Sequence, residues 1–390
     1  DDGGDGGGDD GDGDGRSDGD GGGHGAKSRK VARKAEAPTH PRLLATMKGF
    51  KEGVMDASLS QDGNMAAAVS SDRTLRVFCG LLHADEGRRP APLMVNLPLD
   101  HATACALSAN SRNVIVATDA SRHILAYTIT PPGHKSQKPG LTLKREFPPE
   151  GRSAHSRRVC VAQLAPNSSF ILTVGTDGDM HVRLWTVTGE EIAVVENKQF
   201  AQHSASISAD SRLIAIASDS AAPNRNVALR RGQVPVFEVQ YADRERTKPT
   251  GLQLVLNIAG HTRGINDVSF AQDLVHLALG SKDGEWSVWR TDVRYDLNVE
   301  AKEHARAAAP HAPFERVALS PFAKRLVGAS ASHMSIIDVR TGRAIETLLT
   351  GHGGISALDF SLDGVRVLSG GSDGRLRLWR VEDDCNAGTV

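Results

Sequence analysis

Short apolar runs alternate with turn residues along almost the whole chain from residue 43 onward. The runs are rich in β-branched residues, and no helical period continues beyond about two turns. Strands of this length, separated by Gly, Asn, Asp, Ser and Pro, are typical of all-β proteins. The pattern therefore predicts an all-β fold.

One unit recurs within this pattern: a small residue, a turn and then an apolar strand. Successive copies lie between 41 and 63 residues apart, and the shorter spacings match a four-stranded propeller blade. A strand that usually ends in a large residue follows each copy, as in "SDRTLRVF" and "LRLW". Because the two features agree, we predict a seven-bladed β-propeller. The seven copies read "SLSQDGNMAAAV", "ALSANSRNVIVA", "AQLAPNSSFILTV", "SISADSRLIAIA", "SFAQDLVHLALG", "ALSPFAKRLVGA" and "DFSLDGVRVLSG".

The composition divides the chain into three parts. Residues 1–40 contain an Asp/Gly-rich stretch without large apolar side chains and then the basic run "KSRKVARK"; we expect a disordered tail and linker. The propeller is expected over 41–384, and a short C-terminal tail over 385–390. Residues 42–48 precede the first copy, so we predict that they supply the outer strand of the seventh blade and close the ring.

Two copies carry a more specific signature. "AGHTRGINDVSFAQDLVHLALGSKDGEWSVW" and "TGHGGISALDFSLDGVRVLSGGSDGRLRLW" each contain Gly-His, a turn Asp-Gly and a terminal Trp. Their spacing resembles that of the WD-repeat family, whereas the second, fourth and sixth copies are degenerate. The resemblance implies a non-enzymatic scaffold that binds protein partners through its faces or rim.

A narrower resemblance comes from "LDHATACALSANSRNVIVA", "SKDGEWSVWRTDVRYDL" and "ERVALSP". These stretches are similar to one subgroup of the family, which is linked to the endoplasmic reticulum membrane and its stress signalling. The sequence begins without Met, and we expect an upstream segment that could carry a membrane anchor. The implied location is cytoplasmic, on the cytosolic face of the reticulum if that anchor exists.

In a blade of this type, the turn between the second and third strands meets the loop that carries the Gly-His. We therefore expect the His to donate to the turn Asp, and a hydroxyl on the second strand to bond the indole of the Trp. These residues are interpreted as structural. The expected sets are His352, Asp373, Ser369 and Trp379; His261, Asp283 and Trp289, with Leu279 in place of the Ser; and, more loosely, His155, Asp177 and Trp185. Asp72 and Phe78 retain half of a set, with Phe50 in the His position.

The stretch "GGSDG" matches the G-x-S-x-G pattern of a hydrolase nucleophile elbow. A nucleophile elbow requires a strand, a sharp turn and a helix, whereas Ser372 precedes a turn Asp and corresponds to Lys282 and Ser71 in other copies. No copy supplies the nucleophile that a His–Asp pair would need. We therefore predict no catalytic residue.

Arginines cluster in loops that the propeller would bring to one rim. Arg225, Arg230 and Arg231 belong to the long loop of the fourth blade, which contains one acid, Asp219. Arg157 and Arg158 of the third blade and Arg263 of the fifth would flank them. The rim is hypothesised to bind an acidic or phosphorylated peptide or, as an alternative, RNA phosphates; ordinary solvated arginines are the competing interpretation.

The overall composition argues against several classes of function. The formal net charge of −1 argues against binding nucleic acid or anionic membranes through overall charge. The four cysteines have neither the CxxC spacing of a metal site nor the density of a disulfide scaffold. Cys79 and His83 are four residues apart, but nothing beside them completes a metal site. We expect a monomer with no metal and no cofactor.

Overall fold

A computed structural model describes residues 40–84, 91–97, 100–132, 138–149, 151–176, 178–197, 201–219, 232–297 and 299–381. The predicted Asp/Gly tail, apart from His40, and the segment 385–390 lie outside these ranges. The described residues form seven four-stranded antiparallel sheets, which confirms the all-β, seven-bladed propeller.

The strands are short, as the alternating pattern predicted. In chain order they are β1 (Leu43–Met47), β2 (Val54–Leu59), β3 (Met65–Ser70), β4 (Thr74–Cys79), β5 (Ala91–Asn96), β6 (Ala102–Leu107), β7 (Asn113–Thr118), β8 (Ile124–Thr130), β9 (Gly140–Phe147), β10 (Val159–Leu164), β11 (Ile171–Gly175), β12 (His181–Trp185), β13 (Glu191–Glu196), β14 (Ala201–Ile207), β15 (Leu213–Asp219), β16 (Val234–Tyr241), β17 (Pro249–Ile258), β18 (Ile265–Phe270), β19 (His276–Ser281), β20 (Glu285–Arg290), β21 (Lys302–Ala308), β22 (Arg316–Leu319), β23 (Arg325–Ser330), β24 (His333–Asp338), β25 (Arg343–Leu349), β26 (Ile355–Phe360), β27 (Arg366–Gly371) and β28 (Arg375–Arg380). Short 3₁₀ helices occur at Leu81–His83 and Tyr295–Leu297.

Six blades consist of four consecutive strands, from β2–β5 for blade 1 to β22–β25 for blade 6. Within a blade the strands are called a to d from the inside outward. Blade 7 has the order β26-β27-β28-β1, so the first strand of the chain pairs with the last. Ala45 lies opposite Leu378, and Met47 opposite Leu376. The predicted closure of the ring is confirmed.

The core lies between neighbouring blades. Val77 of blade 1 packs in one cluster with Val116 of blade 2, and Ile336 of blade 6 packs with Trp379 of blade 7. Each such side chain contributes about 1.5–3 kcal/mol when fully buried. A blade therefore depends on both neighbours for its stability.

Polar side chains on the inner strands also join neighbouring blades. Strand a is an edge strand, so part of its backbone lacks a partner within its own sheet. Asp359 of blade 7 accepts a hydrogen bond from the Leu59 N–H at 2.8 Å, and Asp267 of blade 5 accepts one from Val317 at 2.8 Å. Ser206 similarly accepts from Phe270 at 3.0 Å. These bonds satisfy exposed amides and fix the register between blades.

Candidate functional site

Blade 7 contains the complete polar set at one end of the propeller, the top face. His352 donates from Nδ1 to the Asp373 carboxylate at 2.7 Å, and its Nε2 lies 3.0 Å from the Ser369 hydroxyl. The Trp379 indole donates to that same hydroxyl at 2.9 Å. The hydroxyl can donate to Nε2 while it accepts from the indole, so every polar atom of the chain of bonds has a partner. The set links the d–a loop to strands b and c.

Blade 5 contains the same set with the hydroxyl on a different strand. His261 bonds Asp283 at 3.0 Å, but its Nε2 contacts Ser287 at 2.7 Å, and the Trp289 indole donates to Ser287 at 2.8 Å. Ser287 lies directly opposite Leu279 in the sheet. The hydroxyl has therefore moved from strand b to its cross-strand partner on strand c, which explains why Leu is tolerated at 279.

Blade 3 shows which carboxylate completes its set. Asp177 lies outside the described residues, and the carboxylate that contacts His155 is Asp179, at 3.2 Å. The Trp185 indole donates to the Thr173 hydroxyl at 2.8 Å, and that hydroxyl can donate to Nε2 of His155, also at 2.8 Å. Asp179 precedes Trp185 by six residues, the same spacing as Asp283 to Trp289 and Asp373 to Trp379. The six-residue spacing could have identified Asp179 from the sequence. The sequence interpretation chose Asp177, which lies eight residues before Trp185.

Two further blades use variants of the same link. In blade 1, Asp72 accepts from the Lys51 backbone at 2.8 Å, and Phe50 packs edge-on against Phe78 with ring centroids 6.2 Å apart. In blade 2 the hydrogen-bond acceptor lies on the d–a loop instead of the b–c turn. Asp100 on the d–a loop accepts from the backbone N–H groups of Ala120 and Ser121 in the b–c turn, at 2.9 and 2.8 Å. Sequence reasoning did not identify Asp100.

The electrostatics of the three complete sets favour neutral imidazoles. Burial lowers the pKa of His155, His261 and His352, and this outweighs the neighbouring carboxylates, which act in the opposite direction. Burial alone would raise the pKa of Asp373, but hydrogen bonds from His352 and Arg377 hold it below its ordinary value. The hydroxyls that the imidazoles contact, on Thr173, Ser287 and Ser369, are fully buried, so a substrate has no access to them and they serve to link strands.

Comparison with known proteins matches these blades to one family. The family model described as "WD domain, G-beta repeat" matches residues 41–79, 147–186, 252–290 and 342–380. Each match runs from a strand d region through strands a, b and c of blade 1, 3, 5 or 7, the blades that carry an Asp six residues before a large aromatic residue. The chain belongs to the WD-repeat family. The matched ranges do not include strands a to c of blades 2, 4 and 6, the degenerate copies, which have the same four-stranded fold.

The WD-repeat chain is also similar to individual curated proteins. It is 27% identical over 349 residues to human transducin beta-like protein 2, across 87% of this chain and 72% of the relative. It is 26% identical over 348 residues to the mouse protein of the same name, across 87% of this chain and 73% of the relative. The similarity therefore extends well beyond the four matched repeats.

Ser372 lies in the b–c turn of a WD-repeat blade. It is exposed, the turn connects two strands, and its backbone N–H donates to Gly354 at 2.9 Å. The nearby imidazole of His352 is held by Asp373 and Ser369. The G-x-S-x-G pattern here arises from the strand b end and the turn of the repeat, with no helix after it.

The central channel holds a cavity of about 540 Å³ lined by the inner strands. Small residues such as Ser58, Ala106 and Ser206 line it, together with three carboxylates. Burial raises the pKa of Asp56 to about 6 and of Asp359 to about 7, and it also raises that of Asp267. Each of the three accepts a backbone N–H from the next blade. They therefore act in the joints between blades.

These carboxylates follow a pattern that the sequence offered. Asp56 and Asp267 lie four residues before the aligned small residue of their copies. Asp359 lies two residues before it, at the position where blades 1, 4 and 5 have Ser. Polar residues at these positions of strand a point to the neighbouring blade. Sequence reasoning did not identify these carboxylates.

Three of the six rim arginines lie among the described residues. Arg157 and Arg263 are exposed and have no carboxylate partner in the described part of the chain, whereas Arg158 lies 3.8 Å from Asp119. Asp219, the acid of the long blade 4 loop, pairs with Lys282 at 2.6 Å. Arg225, Arg230 and Arg231 lie outside the described residues.

The observations do not support the other candidate sites as metal sites. Burial raises the pKa of the Cys79 thiol to about 11, which disfavours the thiolate that a metal would require. His261, Asp283 and Glu285 have potential ligand atoms within 4.8 Å of one another, but the His261 nitrogens already bond Asp283 and Ser287. Within the described ranges, the chain contains no helix of the length and apolarity needed to cross a membrane.

Proposed function

We propose that this WD-repeat propeller is a non-catalytic scaffold that holds protein partners on its faces. The observation that carries the proposal is the state of the His–Asp sets, the residues most suited to chemistry. Their nitrogens and carboxylates are engaged inside the blades. What the fold offers to other molecules is a closed ring with exposed loops at both ends, as is general for WD-repeat propellers.

The arginine rim is our first proposed docking site. Its support is electrostatic: Arg157 and Arg263 are exposed cations without a partner in the described part of the chain. The single acid of the intervening loop is neutralised by Lys282. The described end of that loop, Gly232, abuts the backbone of Arg263, so a Cβ there would lie 2.7 Å from its carbonyl oxygen. An acidic or phosphorylated peptide fits such a rim through forked hydrogen bonds.

A role in stress signalling at the endoplasmic reticulum is the finer form of this proposal. Its support is the resemblance to transducin beta-like protein 2, which extends over 87% of the chain. In this form of the proposal the propeller faces the cytosol and is the interaction module. An upstream anchor would hold it at the membrane.

RNA or ribosome association through the same arginines is the second candidate function. Guanidinium groups bind RNA phosphates as readily as phosphopeptides, and such binding weakens steeply with salt. The two candidates differ in their response to ribonuclease. Protein partners captured by the rim should survive ribonuclease treatment during proximity labelling, and an RNA-bridged set should not.

We expect Arg157→Glu/Arg263→Glu to weaken binding of an acidic phosphoserine peptide by about tenfold or more and to flatten its salt dependence. Fluorescence anisotropy at low and physiological salt measures both. Arg112→Glu/Arg244→Glu is the matched control, because these exposed arginines lie on the opposite face and carry the same charge change. Equal peptide binding by the rim variant and the control would reject the rim. If the rim variant lost binding to a single-stranded RNA but still bound the peptide, the second candidate would be favoured.

A further inference from the structure

The turns between strands a and b share one design around the bottom face, the face opposite the polar sets. The third residue of the turn is Asp or Asn in six blades, where its side chain typically accepts turn hydrogen bonds, as Asp62 does from Ser60 and Asn64. The fourth residue has a positive φ in all seven blades. That residue is usually small, since the left-handed region disfavours bulky side chains. The seven are Gly63, Ser111, Ser168, Ser211, Leu274, Ala323 and Gly364.

Three consecutive blades depart from this design toward apolar residues. Blade 5 holds Leu274 at the left-handed position, with φ 64° and 46% of its surface exposed. Blade 6 has Phe322 where the others have Asp or Asn, and it is 72% exposed. Blade 7 has Leu362 at the second position, 44% exposed. Neither the turn nor the core explains these three residues, and we call them the apolar turn patch.

The turns that carry the patch surround the mouth of the central channel, since Gln272 of blade 5, Pro321 of blade 6 and Leu362 of blade 7 all line its cavity. Pro321 packs so closely on the blade 7 turn that a Cβ at Gly364 would lie 3.2 Å from its Cδ. The Leu362 N–H donates to Gln61 of the blade 1 turn at 3.1 Å. The patch therefore lies beside a recess at the channel mouth.

Unpaired cations border the patch on blade 6. Lys324, Arg340 and Arg343 are exposed and make no ion pair within the described ranges. The Val339 N–H donates to the Lys324 carbonyl at 3.1 Å, which brings the loop of Arg340 beside the turn of Phe322. The acids of the neighbouring turns are already engaged, Asp273 with His276 and Asp363 with Arg366. The border is therefore positive.

From this arrangement we propose that the apolar turn patch docks an acidic amphipathic segment of a protein partner. Apolar side chains of the segment would cover Leu274, Phe322 and Leu362, and its carboxylates would face the three cations. The recess favours a protein segment, which can insert side chains into it, rather than a flat bilayer surface. The inference rests on the proposed scaffold function and assigns it a second face, with a partner chemistry different from that of the arginine rim.

The probe is a fluorescent helical peptide of about 16 residues with Leu along one face and Glu beside it. We expect wild-type protein to bind it, and Phe322→Asp and Leu274→Gly to bind it at least about tenfold more weakly. Both substitutions install residues that other blades carry at these positions, so both variants should fold. Val187→Ser, an exposed apolar residue on the same face in blade 3, is the matched control and should bind normally. A peptide with Lys in place of Glu should not bind wild-type protein.

Three results would overturn the proposal. The first is failure of the wild-type protein to bind the acidic peptide. The second is binding of the peptide by Phe322→Asp as tightly as by wild type. The third is binding that depends on Phe322 but occurs only with vesicles of about 30% phosphatidylserine. The last would assign the patch to a membrane surface. Arg157→Glu/Arg263→Glu should bind the amphipathic peptide normally. The failure of this patch is therefore distinguishable from the failure of the rim.

Discussion

Deleting residues 40–48 should lower the melting temperature by about 7 °C. The deletion removes β1, which buries Met47, and it leaves the edge of β28 without its partner. Losing a strand of backbone hydrogen bonds together with one core side chain costs about 5 kcal/mol. For a domain of about 340 residues, the unfolding entropy corresponds to a shift of roughly 1.4 °C per kcal/mol, so the loss amounts to about 7 °C. Thermal unfolding followed by circular dichroism measures it.

Met47→Ala separates closure from simple loss of packing. This variant keeps the strand and its backbone bonds, so it should unfold at a temperature between those of wild type and the deletion. Addition of a synthetic peptide spanning residues 40–48 should restore part of the lost stability in the deletion variant. A deletion that melts at the wild-type temperature would show that β1 does not close the ring.

Ser287→Ala should destabilise the propeller by about 2–4 kcal/mol, an unusually large effect for the loss of one hydroxyl. His261 and Trp289 both depend on this oxygen, and its removal leaves two buried polar groups without partners. Ser335 is the matched control, because it occupies the same strand c position in blade 6 but bonds only Thr347, at 3.0 Å. Ser335→Ala should cost about 1 kcal/mol. Denaturant unfolding of the two variants gives the comparison.

A double-mutant cycle tests whether the hydroxyl can return to strand b. Leu279→Ser places it where blades 3 and 7 have Thr173 and Ser369, directly opposite position 287. Leu279→Ser alone loses packing, but combined with Ser287→Ala it should restore a partner for the imidazole and the indole. We expect the double variant to be more stable than the sum of the single effects by at least about 1 kcal/mol. Strict additivity would contradict the shared role.

The fold could be predicted from the sequence because its repeats are local. The small residue, the turn and the following strand lie within one stretch of chain, so seven copies were countable even where three had lost their signature residues. The partner of β1 was also predictable, since a ring leaves one strand unpaired. Gly-His, turn Asp and Trp stand at fixed spacings, which identified the sets of blades 5 and 7.

The remaining details depend on contacts between strands and blades, which a local pattern does not contain. Ser287 replaces a hydroxyl across the sheet, and Asp56 bonds an amide of the next blade, 49 residues away in sequence. Asp100 reverses donor and acceptor, so a search for the usual order cannot find it. Asp179 differs from these, because the six-residue spacing to Trp185 was visible in the chain.

The central claim is that the His–Asp sets are buried, neutral links that stabilise the blades. Burial lowers the pKa of His155, His261 and His352 in the folded protein, whereas an unfolded His titrates near 6.5. Their contribution to stability is therefore complete above about pH 6.5 and is lost as the pH falls through their folded pKa values. The direct measurement is a ¹⁵N NMR titration of the imidazoles. We predict three neutral rings protonated at Nδ1 that do not titrate at pH 6.5; a ring among them that titrates at or above pH 6.5 would contradict the claim.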